Sequence, residues 1–207
     1  MERAVRRLGG WAVALTAGLL TAYPPDRLPA QDSLPAGYGT LRRDDIAVRL
    51  TTDQLDIQVF PLDEQVIRLL APDTYRSLRD LLRTRQAAID SLAPQAGVAH
   101  ATLVFVTFYG LVAQARFNPE DLNITSRGRL FRPVGMVPLS PRWNSYQLDA
   151  REQAVAIYLF DEGISFWEDV TVSYQGLANG AWSRSLRALD QERARVLARM
   201  RAGTPPD

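Results

Sequence analysis

Apolar and polar residues alternate with period two over much of the chain between residues 45 and 175. Ile46, Val48 and Leu50 are separated by Ala47 and Arg49, and Leu55, Ile57 and Val59 by Asp56 and Gln58. Successive side chains of a strand point to opposite faces, so each run can bury one face. The two runs predict a hairpin closed by residues 51–54.

The period changes over residues 64–93. Tyr75, Leu78, Leu82, Ile89 and Leu92 fall at helical spacing, with Leu81 widening the stripe. Asp73 is the expected N-cap, and Pro94 and Gly97 the stop. Residues 64–70 fit either a short helix or a strand. Strand character then returns most strongly in VAHATLVFVTFY, residues 98–109. Leu103 to Val106 are apolar in succession, which predicts a central strand covered on both faces.

Further strands are predicted at 111–117, 122–125, 129–137, 155–160 and 170–175. The connections carry turn chemistry: Asn118-Pro119-Glu120-Asp121, Arg127-Gly128, and Asp161-Glu162-Gly163 with glycine at a left-handed position. Pro133 and Pro138 lack ladder donors, so their strand is expected to be bent or at an edge. The pattern as a whole reads as mainly β (α+β). The expected architecture is an antiparallel immunoglobulin-like sandwich over residues 38–177, with a helical insertion near 64–93. Beyond it lies a helix near 181–202, within a tail of residues 178–207. Its stripe of Trp182, Leu186, Leu189, Val196 and Met200 is interrupted by Arg193. Docking on the sandwich is favoured over pairing with another chain.

The first residues follow a different pattern. Residues 1–7 are basic, residues 8–22 (LGGWAVALTAGLLTA) are uncharged and mostly apolar, and Pro24-Pro25 ends any helix. This is the layout of a secretory signal, assigned to residues 1–30, with 31–37 as a linker. The apolar stretch is shorter than the roughly 20 residues that span a bilayer. An uncleaved N-terminal helix is the alternative. The expected location is periplasmic or extracellular.

Composition narrows the chemistry. All 24 basic residues are arginine, and there is no cysteine. Lysine and thiol nucleophiles, thiolate metal sites and disulfides are therefore excluded. The arginine bias points to a GC-rich bacterial source. Residues 1–30 hold four of the 24 basic and two of the 23 acidic residues, so the remainder is close to neutral. That balance argues against nucleic acid as a partner.

His100 is the lone histidine, and no G-x-S-x-G sequence offers it a nucleophile. Carboxylates pair at Glu120-Asp121, Asp161-Glu162 and Glu168-Asp169. Asp161, Glu162, Glu168 and Asp169 are the candidates for a calcium site or for acid–base work on a glycan, though no D-x-D-x-D-G loop is present. Most aromatics follow strand phasing and belong to the core. Trp143 and Tyr146 do not, because PLSPRWNSYQ reads as a loop, and they are candidate partner contacts. Arg184, Arg187, Arg195 and Arg199 lie along one side of the last helix and could meet an anionic envelope surface.

The run FNPEDLNITSRGRLFRPVGMVPLSP, followed by AIYLFD and VTVSY, resembles segments of uncharacterised secreted bacterial proteins with immunoglobulin-like sandwiches, over residues 98–176. The resemblance implies a fold and an exported location. The cysteine pair of antibody domains is missing, and no catalytic residue comes with the likeness. The expectation is an exported, non-enzymatic module that contacts another envelope or secreted protein and needs no cofactor. The alternative is a calcium-dependent or carbohydrate-binding or -hydrolysing protein.

Overall fold

A computed structural model describes residues 34–203. The expected signal segment, the first part of the linker and the last four residues lie outside the described residues. The described chain is an α+β fold built on antiparallel sheets. Its elements are α1 (Arg43–Ile46), β1 (Val48–Thr51), β2 (Leu55–Pro61), α2 (Glu64–Ile67), α3 (Pro72–Gln95), β3 (Thr102–Gly110), β4 (Ala115–Arg116), β5 (Leu122–Ser126), β6 (Arg129–Phe131), β7 (Pro133–Pro138), β8 (Gln147–Leu148), β9 (Gln153–Phe160), β10 (Val170–Tyr174), β11 (Leu177–Asn179) and α4 (Trp182–Ala202).

Among the described residues, one sheet runs β1-β2-β3-β9-β7 and a second β11-β10-β5-β6, with β4 and β8 pairing separately. The hairpin expected from the first two alternating runs is present, with Val48 opposite Val59 and Leu50 opposite Ile57. β3 is the middle strand of its sheet, between β2 and β9. Val104, Val106 and Phe108 on one face are fully buried, while Leu103 and Phe105 on the other are only partly covered. The two larger sheets share this core: the Phe108 ring lies 5.6 Å from that of Tyr174 on β10. It also lies 4.8 Å from the ring of Phe117.

Several expectations need correction. Residues 64–93 are not one helix. Asp63 caps the short α2, accepting from the N–H groups of Gln65 and Val66. The chain then straightens, and Leu70 bridges to Leu41. α3 opens at Pro72, whose missing N–H costs nothing in a first turn. Asp73 is therefore inside that turn rather than its cap. It still favours the positive helix end. Pro94 is accommodated in the last turn rather than stopping the helix. Of residues 111–117 only Ala115–Arg116 pair. Leu111 and Val112 are exposed in a loop. The run 129–137 is two strands, not one: β6 lies at the edge of the second sheet and β7 at the edge of the first. The chain crosses between sheets at Arg132, where proline follows and the ladder cannot continue. Register slips between Pro133 and Gly135. β11 was not expected. It returns from β10 through Gln175-Gly176, both at positive φ, the backbone of a two-residue hairpin turn.

α3 lies along β7, and a Cβ on Gly135 would sit 3.6 Å from that of Leu92. α4 packs against α1 and β10 of its own chain. Trp182, Leu189 and Val196 are buried, and the Trp182 indole donates to the Phe166 carbonyl at 3.1 Å. Among the described residues no helix is long and apolar enough to cross a membrane.

Candidate functional site

The crossing at Arg132 leaves β7 as the edge strand of its sheet, with α3 packed along it. Opposite it stands the second sheet's connecting backbone: the 3-10 turn Pro119–Asp121, Asn123 on β5, and the Gln175-Gly176 turn. Between them is a polar cleft of about 580 Å³, with Arg132, Val134 and Met136 on the β7 side. A second cleft of about 380 Å³ is lined by Phe117, Asn118, Pro119, Trp143 and Tyr146. Glu120 and Met136 line both, so the two clefts adjoin there; together they are called the groove, polar at one end and aromatic at the other.

Each wall has a local cause. Pro119 presets the helical φ of the 3-10 turn, and the Asn118 side chain caps it, accepting from the Glu120 N–H at 3.3 Å. Asp121 is fixed by amides: Asn118 donates to one oxygen at 2.9 Å and Gln175 to the other at 2.8 Å. Tyr158 donates to the Pro119 carbonyl at 3.0 Å, anchoring the turn to β9. Burial pushes the Tyr158 hydroxyl far above the ordinary tyrosine range, and the neighbouring Tyr174 adds to this. Burial likewise raises Tyr174, which accepts from the Asn118 N–H.

At the aromatic end, Pro141–Ser145 form a 3-10 turn that ends on Tyr146 at φ +52. A left-handed conformation is costly for a bulky side chain. It is held by the Phe117 N–H donating to the Tyr146 carbonyl at 3.1 Å. The result sets the Tyr146 ring outward, 54% exposed, and 6.0 Å from the Phe117 ring.

The structure separates the residues singled out from sequence. Trp143 is not a surface contact. Only 4% of it is exposed, and its ring packs on Phe108, Phe117 and Tyr158, so it is the floor of the aromatic end. Tyr146, by contrast, is at the mouth. Arg184, Arg187 and Arg195 are exposed on α4. Arg199 is turned inward instead, donating to the Tyr38 carbonyl at 2.6 Å and to Glu192 at 2.8 Å. Glu192 is fully buried.

The loop carboxylates do not converge. Asp161 accepts from Arg129 at 2.9 Å. Glu168 forms a two-bond pair with Arg127, which holds the Glu168 carboxyl below its ordinary range and the guanidinium above its own. Glu162 and Asp169 point to solvent. Among the described residues, no three histidine, aspartate or glutamate side chains gather closely enough to hold a metal ion. His100 is exposed ahead of β3, and no serine lines the cleft it borders.

Arg132, Met136 and Gln175 went unrecognised in the sequence, and Glu120 stood out only as half of a carboxylate pair. Residues 118–121 carried a turn signal, but nothing local ties them to residues 132–136. Comparison with protein families, with curated proteins and with solved structures finds no match.

Proposed function

We propose that the chain is an exported, non-enzymatic module that binds a polypeptide partner along the groove beside β7. The observation that carries this reading is that two clefts adjoin at Glu120 and Met136 beside the edge strand β7. An extended segment can add to a sheet edge through main-chain hydrogen bonds, with alternate side chains entering pockets. β7 suits such use, since Val134 is 37% exposed beside the polar cleft. The groove lining holds carboxylates, amides, an arginine and aromatics, and no serine, histidine or lysine. That set recognises; it offers no nucleophile with an adjacent base.

Export is supported by the basic, apolar and proline succession of residues 1–25. We read the scaffold as an immunoglobulin-like sandwich in its layering, supported by antiparallel pairing of the strands in both larger sheets and by the shared core. In strand order it differs, because β1, β2 and β3 run consecutively.

A photo-crosslinking amino acid at Val134, in cells that make the protein, tests the reading. Thr171, on a strand of the second sheet and away from the groove, serves as the control. Adducts at Val134 that are missing at Thr171 are expected. Equal labelling at both positions, or none at either, counts against the groove.

A further inference from the structure

We propose that the aromatic end of the groove receives a cationic side chain, arginine or lysine, carried by an extended partner segment lying along β7. This rests on the groove being the binding surface, and adds what it selects.

Charge is the first argument. Several acids on this surface are neutralised by the chain's own arginines, Asp161 by Arg129, Glu152 by Arg142 and Glu64 by Arg68. Others, Glu162 and Asp169 among them, face solvent with no such arginine among the described residues. Glu120 is exposed on the rim shared by both clefts, and among the described residues no cation pairs with it. Asp121 beside it is held only by neutral amides, which leave its charge uncompensated. Arg132 lines the polar cleft too, but among the described residues it forms no ion pair with either carboxylate, so the two acids against one arginine leave an acidic edge within reach of a bound side chain.

The second argument is the aromatic surface. An aromatic face attracts a cation through its quadrupole, most strongly where water is partly excluded. This chain uses the interaction internally: Arg43 lies over Phe105, Arg129 over Phe131 and Arg193 over Trp167. Among the described residues no guanidinium lies over Tyr146, although its ring is half exposed. A pocket with aromatic walls and one open carboxylate matches a guanidinium or ammonium on an apolar stem. Met136 and Pro119 supply the surface for that stem.

The test compares two peptides on the full chain by NMR titration. One is acetyl-Thr-Val-Arg-Val-Thr-amide. In the other, citrulline replaces arginine, keeping the shape and removing the charge. The arginine peptide is expected to bind about tenfold more tightly. Glu120→Gln is expected to bring the two affinities together, and raised salt to narrow the gap. Both positions in question are exposed, so the variants Glu120→Gln and Tyr146→Asn retain the fold. If both peptides bind equally well, selection of a cation is overturned while the groove reading stands. If neither binds, both fall together.

Discussion

Thr40 donates its backbone N–H and its hydroxyl to the same carboxylate oxygen of Glu192, at 2.9 and 2.8 Å, across 152 positions of sequence. Arg199 donates to that oxygen as well, and also to the carbonyl of Tyr38. The other oxygen of Glu192 has no hydrogen bond among the described residues and faces the Arg195 guanidinium at 3.5 Å. A fully buried carboxylate thus ties residues 38–40 to α4. Removing Glu192 takes the acceptor from the half-buried Arg199, while the exposed Thr40 and Arg195 can turn to water. Glu192→Ala is expected to cost about 1–3 kcal/mol in denaturant unfolding. Acid sensitivity follows from the same site. Burial acts to raise the Glu192 pKa, but hydrogen bonds from Arg199 and Thr40 outweigh it and hold the carboxyl below its ordinary 4.5. A folded pKa below the unfolded one gives stability that is present above the unfolded value and lost as pH falls through the folded one. The wild type should therefore weaken progressively below about pH 4.5, and Glu192→Gln should show a shallower decline. Equal acid slopes would show that Glu192 contributes nothing there.

Gly39, next to Thr40, admits no side chain. A Cβ there would lie 2.2 Å from the Leu69 carbonyl carbon and 2.6 Å from the Leu70 oxygen. The obstacle is backbone, so no rotamer change relieves it. The same contact aligns Leu41, whose N–H donates to Leu69 and whose carbonyl accepts from Ala71. Gly39→Ala is expected to destabilise by about 1–3 kcal/mol, as overpacking does. Proteolysis should then begin near residues 34–41. A variant as resistant as the wild type would show that this segment does not need its close approach.

The elements legible in the sequence were those specified by their own neighbours. β1 and the first five residues of β2 alternate, β3 is apolar on both faces, and α3 and α4 keep a helical stripe, so period alone located them. The groove depended on contacts that no local pattern contains. Glu120 precedes β5, Met136 lies in β7 and Tyr146 follows a 3-10 turn; only the sheet crossing at Arg132 brings them together. Trp143 shows the same limit from the other side. Its polar neighbours correctly marked irregular backbone, but irregular backbone has no period to say which way a ring points. Glu192 was hidden because its partner Thr40 is remote and its own neighbours are charged.

Calcium should leave the melting temperature unchanged relative to chelator. Asp161 and Glu168 are already satisfied by Arg129 and Arg127, from the hairpin joining β5 and β6. A calcium ion would have to displace both arginines and still find several more oxygens to reach its usual six to eight. A rise of several degrees in thermal unfolding would refute this and restore the carboxylate loops as a metal site.

Tyr158 links the core to the groove. Its hydroxyl serves the Pro119 carbonyl, and its ring lies 5.8 Å from that of Trp143. Tyr158→Phe leaves that carbonyl without its donor, at a cost of about 1–3 kcal/mol. The wild-type hydroxyl is held protonated far beyond the ordinary value of 10 by burial. For a group whose folded pKa is raised, stability is complete below the unfolded pKa and declines as pH rises past it. Absorbance titration should find Tyr158 still un-ionised near about pH 11, with its ionisation coinciding with unfolding, and Tyr174 displaced upward by burial as well. Early ionisation of every tyrosine in a folded protein would contradict the buried geometry.

Trp143 and Tyr146 sit three residues apart and should respond oppositely. Trp143 has aromatic contacts on Phe108, Phe117 and Tyr158, and truncation leaves a cavity beneath the groove. Trp143→Ala is expected to cost about 3–5 kcal/mol. Tyr146 makes one ring contact, with Phe117, and holds φ +52, a conformation asparagine tolerates far better. Tyr146→Asn should therefore unfold no earlier than the wild type, and relief of strain could add about 1 kcal/mol. The same variant should no longer distinguish the arginine peptide from its citrulline counterpart. A large loss of stability in Tyr146→Asn would mean that the ring is structural, and that its outward position has no bearing on what the groove selects.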